Sequence, residues 1–351
     1  MQKIQLNSLT FQEMESFFIS IGEEKFRAEQ LFNFIHKNRG AKIQNITVFS
    51  KVLRDKLENM AAINETKIYK RFDSKLDNTK KYLFLLEDNN IIEGVIMEYT
   101  HGLTVCISTQ VGCRMGCSFC ASTKEGLVRN LNPAEMANQI YNIEEDLNCK
   151  INNIVLMGSG EPLDNYDNVI KFLKIIHHEK GKNISYRNIT LSTCGIVPKI
   201  YALADEGIPI NLSISLHSPF NHIRERIMPI GKKYLVEEII KACKYYYNKT
   251  NRRITMEYTV IKGINDREKD LEELIKILKD LNCYINLIPL NPIKEYDKER
   301  PSISNIEKFQ QELKKSGINA TIRREMGSDV NASCGQLRRR YTNGKDSKTI
   351  Q

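Results

Sequence analysis

Three helical patterns open the chain. Thr10 and Glu13 are spaced as a capping box ahead of Phe11, Met14, Phe17, Phe18 and Ile21, and Gly22 ends that run. A second run carries Phe26, Leu31, Phe32 and Ile35 and stops near Gly40; a third starts at Ser50 and carries Val52, Leu53, Leu57 and Met60. The period then changes. Lys67–Phe72, Lys81–Leu86, Ile91–Met97 and Leu103–Ser108 are β-rich runs separated by turn residues at Asp77-Asn78 and Asp88-Asn89-Asn90. Glu93 interrupts the third run, but Ile91, Ile92, Val95 and Ile96 around it leave its face open. From residue 103 strands alternate with helices. Strands are predicted at 103–108, 153–157, 187–192, 210–216, 254–261, 284–289 and 318–323. Asn132, Pro133 and Glu135 start one intervening helix as N-cap, N1 and N3, and Ser304 with Glu307 starts the last.

Repeated βα units predict an α/β fold with a parallel sheet and helices outside, a (β/α) barrel of TIM type, complete or partial. The division expected is an N-terminal helical accessory unit at 1–65, a β-rich connection at 66–102, the barrel at 103–340 and a flexible tail at 341–351. In such folds chemistry gathers at the C-terminal ends of the strands. Cys113, Gly158, His217 and Asn291 each follow a predicted strand, and Ser192 ends one.

Composition narrows the partner. The 351 residues carry a formal charge of +9. That excess suits a polyanion, nucleic acid above all. Lys25, Arg27, Lys37, Arg39, Lys42, Lys51, Arg54 and Lys56 decorate the helical unit, and Arg338–Arg340 form a second basic group. No apolar window reaches the ~18 residues of a membrane span, and the N-terminus lacks a signal-peptide core. Nine cysteines, an odd number, fit reduced cytoplasmic thiols rather than a disulfide framework.

Three of those cysteines carry the chemistry. Cys113, Cys117 and Cys120 are spaced C-x3-C-x2-C on one loop. Three thiolates can hold three irons of a [4Fe–4S] cube and leave the fourth iron open. A structural zinc site would need four closed ligands, and no second cysteine pair exists to complete one. Gly158-Ser159-Gly160-Glu161-Pro162 offers close backbone approach and a carboxylate for an ammonium. Ser192, the run Ser215-Leu216-His217 and Asn291 add polar groups at later strand ends. Cys334 lies between Ser333 and Gly335 near cations, a setting for an accessible thiol. Cys149, Cys194, Cys243 and Cys283 read as small hydrophobes.

The cysteine spacing, with Phe119 before the last cysteine, resembles the radical S-adenosylmethionine (AdoMet) superfamily. The resemblance sharpens further along. Cys106 stands seven residues before Cys113, and Gly-Ser-Gly-Glu-Pro-Leu, Leu-Ser-Thr-x-Gly-Ile-Val-Pro, Ser-Leu-His-Ser-Pro, Asn-Leu-Ile-Pro-Leu-Asn-Pro and Thr-Ile-Arg-Arg-Glu with Ala-Ser-Cys-Gly-Gln-Leu follow in order. The whole chain resembles the RlmN/Cfr family of RNA methyltransferases. Ser159 departs from the Met or Ile that many relatives carry, and Ser218-Pro219 is closer to the Cfr branch, whereas Ile288–Asn291 and Arg323-Arg324-Glu325 are closer to the RlmN branch.

The resemblance implies one [4Fe–4S] cluster on Cys113, Cys117 and Cys120, and two AdoMet per turnover. Gly160, Glu161, Ser192, Ser215, Leu216, His217 and Asn291 would line the AdoMet site. It implies methylation at C2 of an adenosine in the peptidyl-transferase region of 23S rRNA and of one beside the tRNA anticodon loop, with C8 of the same rRNA adenosine as the Cfr-type alternative. Cys334 would carry the methyl group, Cys106 would resolve the RNA adduct and end in a disulfide with Cys334, and Glu93, thirteen residues before Cys106, would accept a proton. A monomer reduced by flavodoxin or ferredoxin is expected. The other classes are a radical-AdoMet enzyme for a small molecule and an RNA-binding protein with a structural Fe–S or zinc centre.

Overall fold

The computed structural model describes residues 3–338 and the backbone of residues 340 and 341. Three helices come first: α1 Phe11–Ser20, α2 Phe26–His36 and α3 Lys51–Met60. Thr10 and Glu13 close the capping box that their spacing predicts, and Ser50 caps α3. The second helix stops at His36, short of Gly40, because the chain turns back there and Gly40 N–H donates to the Phe34 carbonyl. Leu6, Met14, Phe18, Leu31, Phe32, Phe49 and Leu57 form a core separate from that of the barrel.

Ten strands then follow one another both along the chain and across one sheet. They are β1 Lys67–Asp73, β2 Lys80–Leu85, β3 Asn90–Tyr99, β4 Gly102–Cys106, β5 Asn153–Leu156, β6 Ile189–Thr193, β7 Asn211–Ser215, β8 Ile254–Val260, β9 Cys283–Pro289 and β10 Ala320–Ile322. The strands β1 to β4 pair antiparallel. From β4 to β10 every pairing is parallel. No ladder among the described residues joins β10 back to β1, so the barrel is partial. The β-rich stretch expected as a connection is a continuation of the barrel sheet. The backbone of Arg340 and Tyr341 returns to pair with β3; the rest of the expected tail lies outside the described residues.

Helices cover the outer face: α4 Pro133–Asp146, α5 Tyr166–His177, α6 Val197–Asp205, α7 Asn221–Ile227, α8 Val236–Thr250, α9 Glu268–Leu278 and α10 Ile303–Lys315. Asn132 caps α4 as expected. The last helix is capped by Ser302, not Ser304: the Ser302 side chain accepts from Asn305 N–H, which puts the start two residues earlier. No helix among the described residues is long and apolar enough to cross a membrane.

The helical unit docks on α4 and α5. Ile175 of α5 belongs to its core, Phe11 stacks on His178 at 4.3 Å, and His36 Nδ1 lies 3.0 Å from the Tyr141 hydroxyl. Arg39, one of the expected RNA cations, reaches the buried Glu144 at 3.4 Å. Lys25 pairs with Glu15, and Lys56 and Arg54 donate to carbonyls within the unit. Lys37, Lys42 and Lys51 stand exposed.

Candidate active site

The register of β2, β3 and β4 decides the face on which Glu93 lies. Val95 sits opposite Lys81 on one side and Cys106 on the other, and Glu93 is opposite Leu83. Side chains alternate along a strand, so Lys81, Glu93 and Cys106 share one face. Tyr82, Phe84, Ile92, Ile96 and Val105 point the other way into the barrel core. Both faces of β3 are covered, which is why its sequence shows no simple alternation.

The covered second face receives the Cys334 segment. Met326 and Leu337 pack on Val95, Met97 and Cys106. Polar bonds tie the segment along its length. Gly327 N–H donates to Asp77, and Asp329 accepts from Ser74 Oγ and Lys75 N–H, all from the β1–β2 turn. Lys81 Nζ donates to the Asn331 carbonyl at 3.1 Å, and Arg338 N–H donates to Glu93 Oε2 at 3.0 Å. Lys81 and Glu93 are themselves an ion pair at 3.0 Å, both fully buried. Arg338 spends its guanidinium on Glu295, at 2.7 and 2.8 Å. The side chains of Arg339 and Arg340 lie outside the described residues.

Beyond Cys106 the chain enters the cysteine loop. A short strand at Gln110–Gly112 pairs with Leu127–Asn130 and closes its base. Gly112 has φ +75°, and a Cβ there would collide with the Gly126 carbonyl, so only glycine lets the loop close. Cys113, Cys117 and Cys120 line one cavity of about 150 Å³. Among the described residues no three metal-ligating groups converge on a single-ion site. A cube, whose corner irons each take one thiolate, suits three cysteines spread around a shared cavity. Burial pushes the Cys113 thiol up to about 12.

The same cavity gathers most of the expected cofactor residues: Gly160, Glu161, Ser192, Ser215, His217 and Asn291. Gly160 has φ +112° and its Cβ position meets Thr109 and Gln110, so the backbone there runs against the cysteine loop. Glu161 is buried, accepts from Leu163 and Cys194 N–H at 3.0 and 2.7 Å, and has no cationic partner among the described residues. Burial raises its pKa. A buried carboxylate lining a cavity without a counter-ion fits the ammonium of AdoMet. His217 Nδ1 accepts from Thr259 N–H at 2.8 Å, and burial lowers its pKa to about 3. The ring is therefore neutral with its proton on Nε2, a donor rather than an acceptor. Leu216 is different: its side chain is in the barrel core, and only its main chain stands at the strand end.

A second cavity, about 40 Å³, holds Cys106 and Cys334 together. It shares Met157, Ile288, Asn291, Arg323 and Cys334 with the first. Both cysteines are free thiols. Asn291 Nδ2 donates to the Cys334 carbonyl at 2.9 Å, so one residue fixes the thiol segment and lines the first cavity. Two bonds couple the cysteine loop to the same segment: Ala121 N–H to the Gly335 carbonyl at 2.7 Å and Ser122 Oγ to the Leu337 carbonyl at 2.6 Å. Ser122 spends its proton there, so Ser159 Oγ, 3.1 Å away, donates to it. The serine between the two glycines is thus part of the link. Glu93 lines neither cavity; in this arrangement it holds the end of the Cys334 segment.

Sequence reading missed three residues here. Arg323 walls both cavities, with Nη1 4.0 Å from Glu257 and 3.9 Å from Met157 Sδ. Cys334 and Glu257 hold it charged. Glu257 also lines the first cavity, and Cys194 does so instead of filling the barrel core. Their signal was available: each ends, follows or lies within a barrel strand.

Comparison with known proteins agrees with this geometry. Residues 107–278 match the radical SAM superfamily, and residues 4–63 match the ribosomal RNA large subunit methyltransferase N-terminal domain. A probable dual-specificity RNA methyltransferase RlmN of Alkaliphilus oremlandii is 56% identical, covering 97% of this chain and 99% of that one. Its counterpart of Clostridioides difficile is 53% identical over the same shares. The crystal structure of a radical SAM methyltransferase from Sphaerobacter thermophilus superposes with a TM-score of 0.89 at 38% identity, covering 95% of this chain and 99% of that one. With the cysteine loop, the partial barrel and the accessory helices all matched, the chain belongs to the RlmN family of radical SAM RNA methyltransferases.

Proposed function

We propose that this enzyme methylates C2 of an adenosine in 23S rRNA and in tRNAs, using Cys334 as methyl carrier and Cys106 as resolver. The observation that carries the reading is the pair of cavities joined through Cys334, one lined by the three loop cysteines, the other by Cys106. Cys113, Cys117 and Cys120 would hold the cluster, and Glu161, Ser192, Ser215, His217 and Asn291 would hold AdoMet. Cluster and AdoMet together supply a methyl cation equivalent and a 5′-deoxyadenosyl radical.

The Cys334 thiolate takes the methyl group by displacement: its sulfur forms the new S–C bond as the sulfonium S–CH3 bond of AdoMet breaks, and S-adenosylhomocysteine leaves. Its S-methyl group later gives up one hydrogen atom, and the carbon so exposed adds to C2. Glu93 accepts the C2 proton, and the electron released by the adduct radical would return to the iron–sulfur centre that Cys113, Cys117 and Cys120 would hold, which leaves a closed-shell Cys334–CH2–C2 linkage. For that, Glu93 must exchange its bond to Arg338 N–H for the substrate. Cys106 then attacks the Cys334 sulfur; the S–CH2 bond breaks, the freed carbon takes a proton, and a Cys106–Cys334 disulfide forms. An external dithiol reduces it.

Burial and the neighbouring Cys334 push the Cys106 thiol up to about 12. It is therefore protonated in the resting enzyme, and Arg323, which walls the same cavity, opposes the shift. The enzyme is read as a cytoplasmic monomer reduced by a flavodoxin- or ferredoxin-type donor. Mass spectrometry of rRNA and tRNA fragments from a strain lacking the gene tests the product: loss of a methyl at adenosine C2 is expected, and loss at C8 alone contradicts the assignment.

A further inference from the structure

One buried charge is assigned no role in the steps above. Arg224 of α7 is completely buried. Its guanidinium donates to four main-chain carbonyls: Leu216 at 3.2 Å, Cys194 at 2.5 Å, Ser215 at 3.3 Å and Tyr234 at 3.5 Å. No carboxylate pairs with it among the described residues. Carbonyls satisfy its N–H groups but do not cancel its charge, and an uncompensated buried ion costs several kcal/mol. The titratable groups facing it are the thiols of Cys117 and Cys194 and the neutral ring of His217.

Its position relative to the cysteine loop is fixed. Ser118 N–H, next to Cys117, donates to the Ile227 carbonyl of α7 at 2.9 Å. Ile227 and Met228 pack with Cys117 and Cys194 in one apolar cluster. A cation held behind Cys117 in an apolar layer acts through a low local dielectric, where a charge a few ångströms away is felt strongly.

We propose that Arg224 is the counter-charge of the iron–sulfur centre and sets its reduction potential. The inference rests on the reading of Cys113, Cys117 and Cys120 as cluster ligands. Three thiolates make the loaded centre anionic, and accepting one electron from a low-potential flavin or iron–sulfur donor adds one more negative charge without breaking a bond. A fixed cation favours the more negative state, so Arg224 makes the centre easier to reduce. It touches no substrate; it is a positioning residue that acts through the cluster. The four carbonyls hold it in place and leave its charge free for this use.

Anaerobically reconstituted protein, titrated with dithionite through redox mediators and followed by electron paramagnetic resonance, tests this. Arg224→Gln removes the charge, whereas Arg224→Lys keeps it and loses the planar fork. The reduction equilibrium of Arg224→Gln is expected to weaken about tenfold, a potential about 59 mV more negative for one electron, with Arg224→Lys close to wild type. If Arg224→Gln loads no iron while Arg224→Lys does, the need for charge stands. Equal shifts in both variants, no shift in either, or failure of both to load iron make Arg224 a structural staple of the strand ends and overturn the proposal. Wild-type protein that assembles no cluster contradicts the ligand assignment itself, a separate outcome.

Discussion

Lys81 and Glu93 show what single residues do here that their neighbours in sequence do not announce. They lie diagonally on one face of adjacent strands and bury an ion pair at 3.0 Å beneath the Cys334 segment. Removing one partner strands the other's charge. Lys81→Met is expected to destabilise the protein by about 3–5 kcal/mol, and Lys81→Met with Glu93→Gln to recover much of that. Denaturant unfolding checks it; equal losses in the single and double variants would show that the pair is not coupled. Nothing local reveals the pair, because Lys81 reads as an ordinary strand lysine and Glu93 as a break in an apolar run. That the three loop cysteines line one cavity was legible for the opposite reason: their spacing on one loop is local. Arg224 was not, since its carbonyl partners come from three separate stretches of chain.

Elements were legible where one face is buried. Seven parallel strands were placed to within two residues because each is a short apolar run between turn signals. The start of α10 was misplaced because two serines compete two residues apart, and only Ser302 meets the third N–H. Contacts between elements were not legible, and α2 is the example. His36 is buried at its junction with α4, and burial lowers its pKa to about 3. The unfolded chain binds a proton there below about 6.5, and the folded chain does not until about 3, so stability falls as pH falls through that window. For one such group the loss between pH 6 and 4 is about 2 kcal/mol. His36→Gln should flatten the dependence of melting temperature on pH over this range. Parallel curves for the variant and wild type would mean that the junction does not sense acid.

Across the whole molecule, the sheet extension and the barrel build the wall shared by two cavities, and the helical unit docks outside on α4 and α5. Several cations of the helical unit are used internally, whereas Lys37, Lys42 and Lys51 are exposed. If these contact RNA phosphates, their replacement by Gln weakens binding across sequences and lowers the slope of log affinity against log salt by about 2 to 3; an unchanged slope places the RNA elsewhere. The partial barrel and its mouth could be anticipated from strand order. The β1–β3 extension as a cradle for the Cys334 segment could not, because its contacts join residues about 250 positions apart, such as Asp77 with Gly327. That cradle holds Cys334 between the cavity of the three loop cysteines and Cys106, and the central claim is that the two sulfurs divide the work in order. The direct test is a denaturing gel of Cys106→Ala and Cys334→Ala after turnover with RNA and AdoMet. Cys106→Ala should accumulate as a covalent RNA adduct through Cys334, while Cys334→Ala forms none; no adduct from the first, or equal adducts from both, would contradict the account.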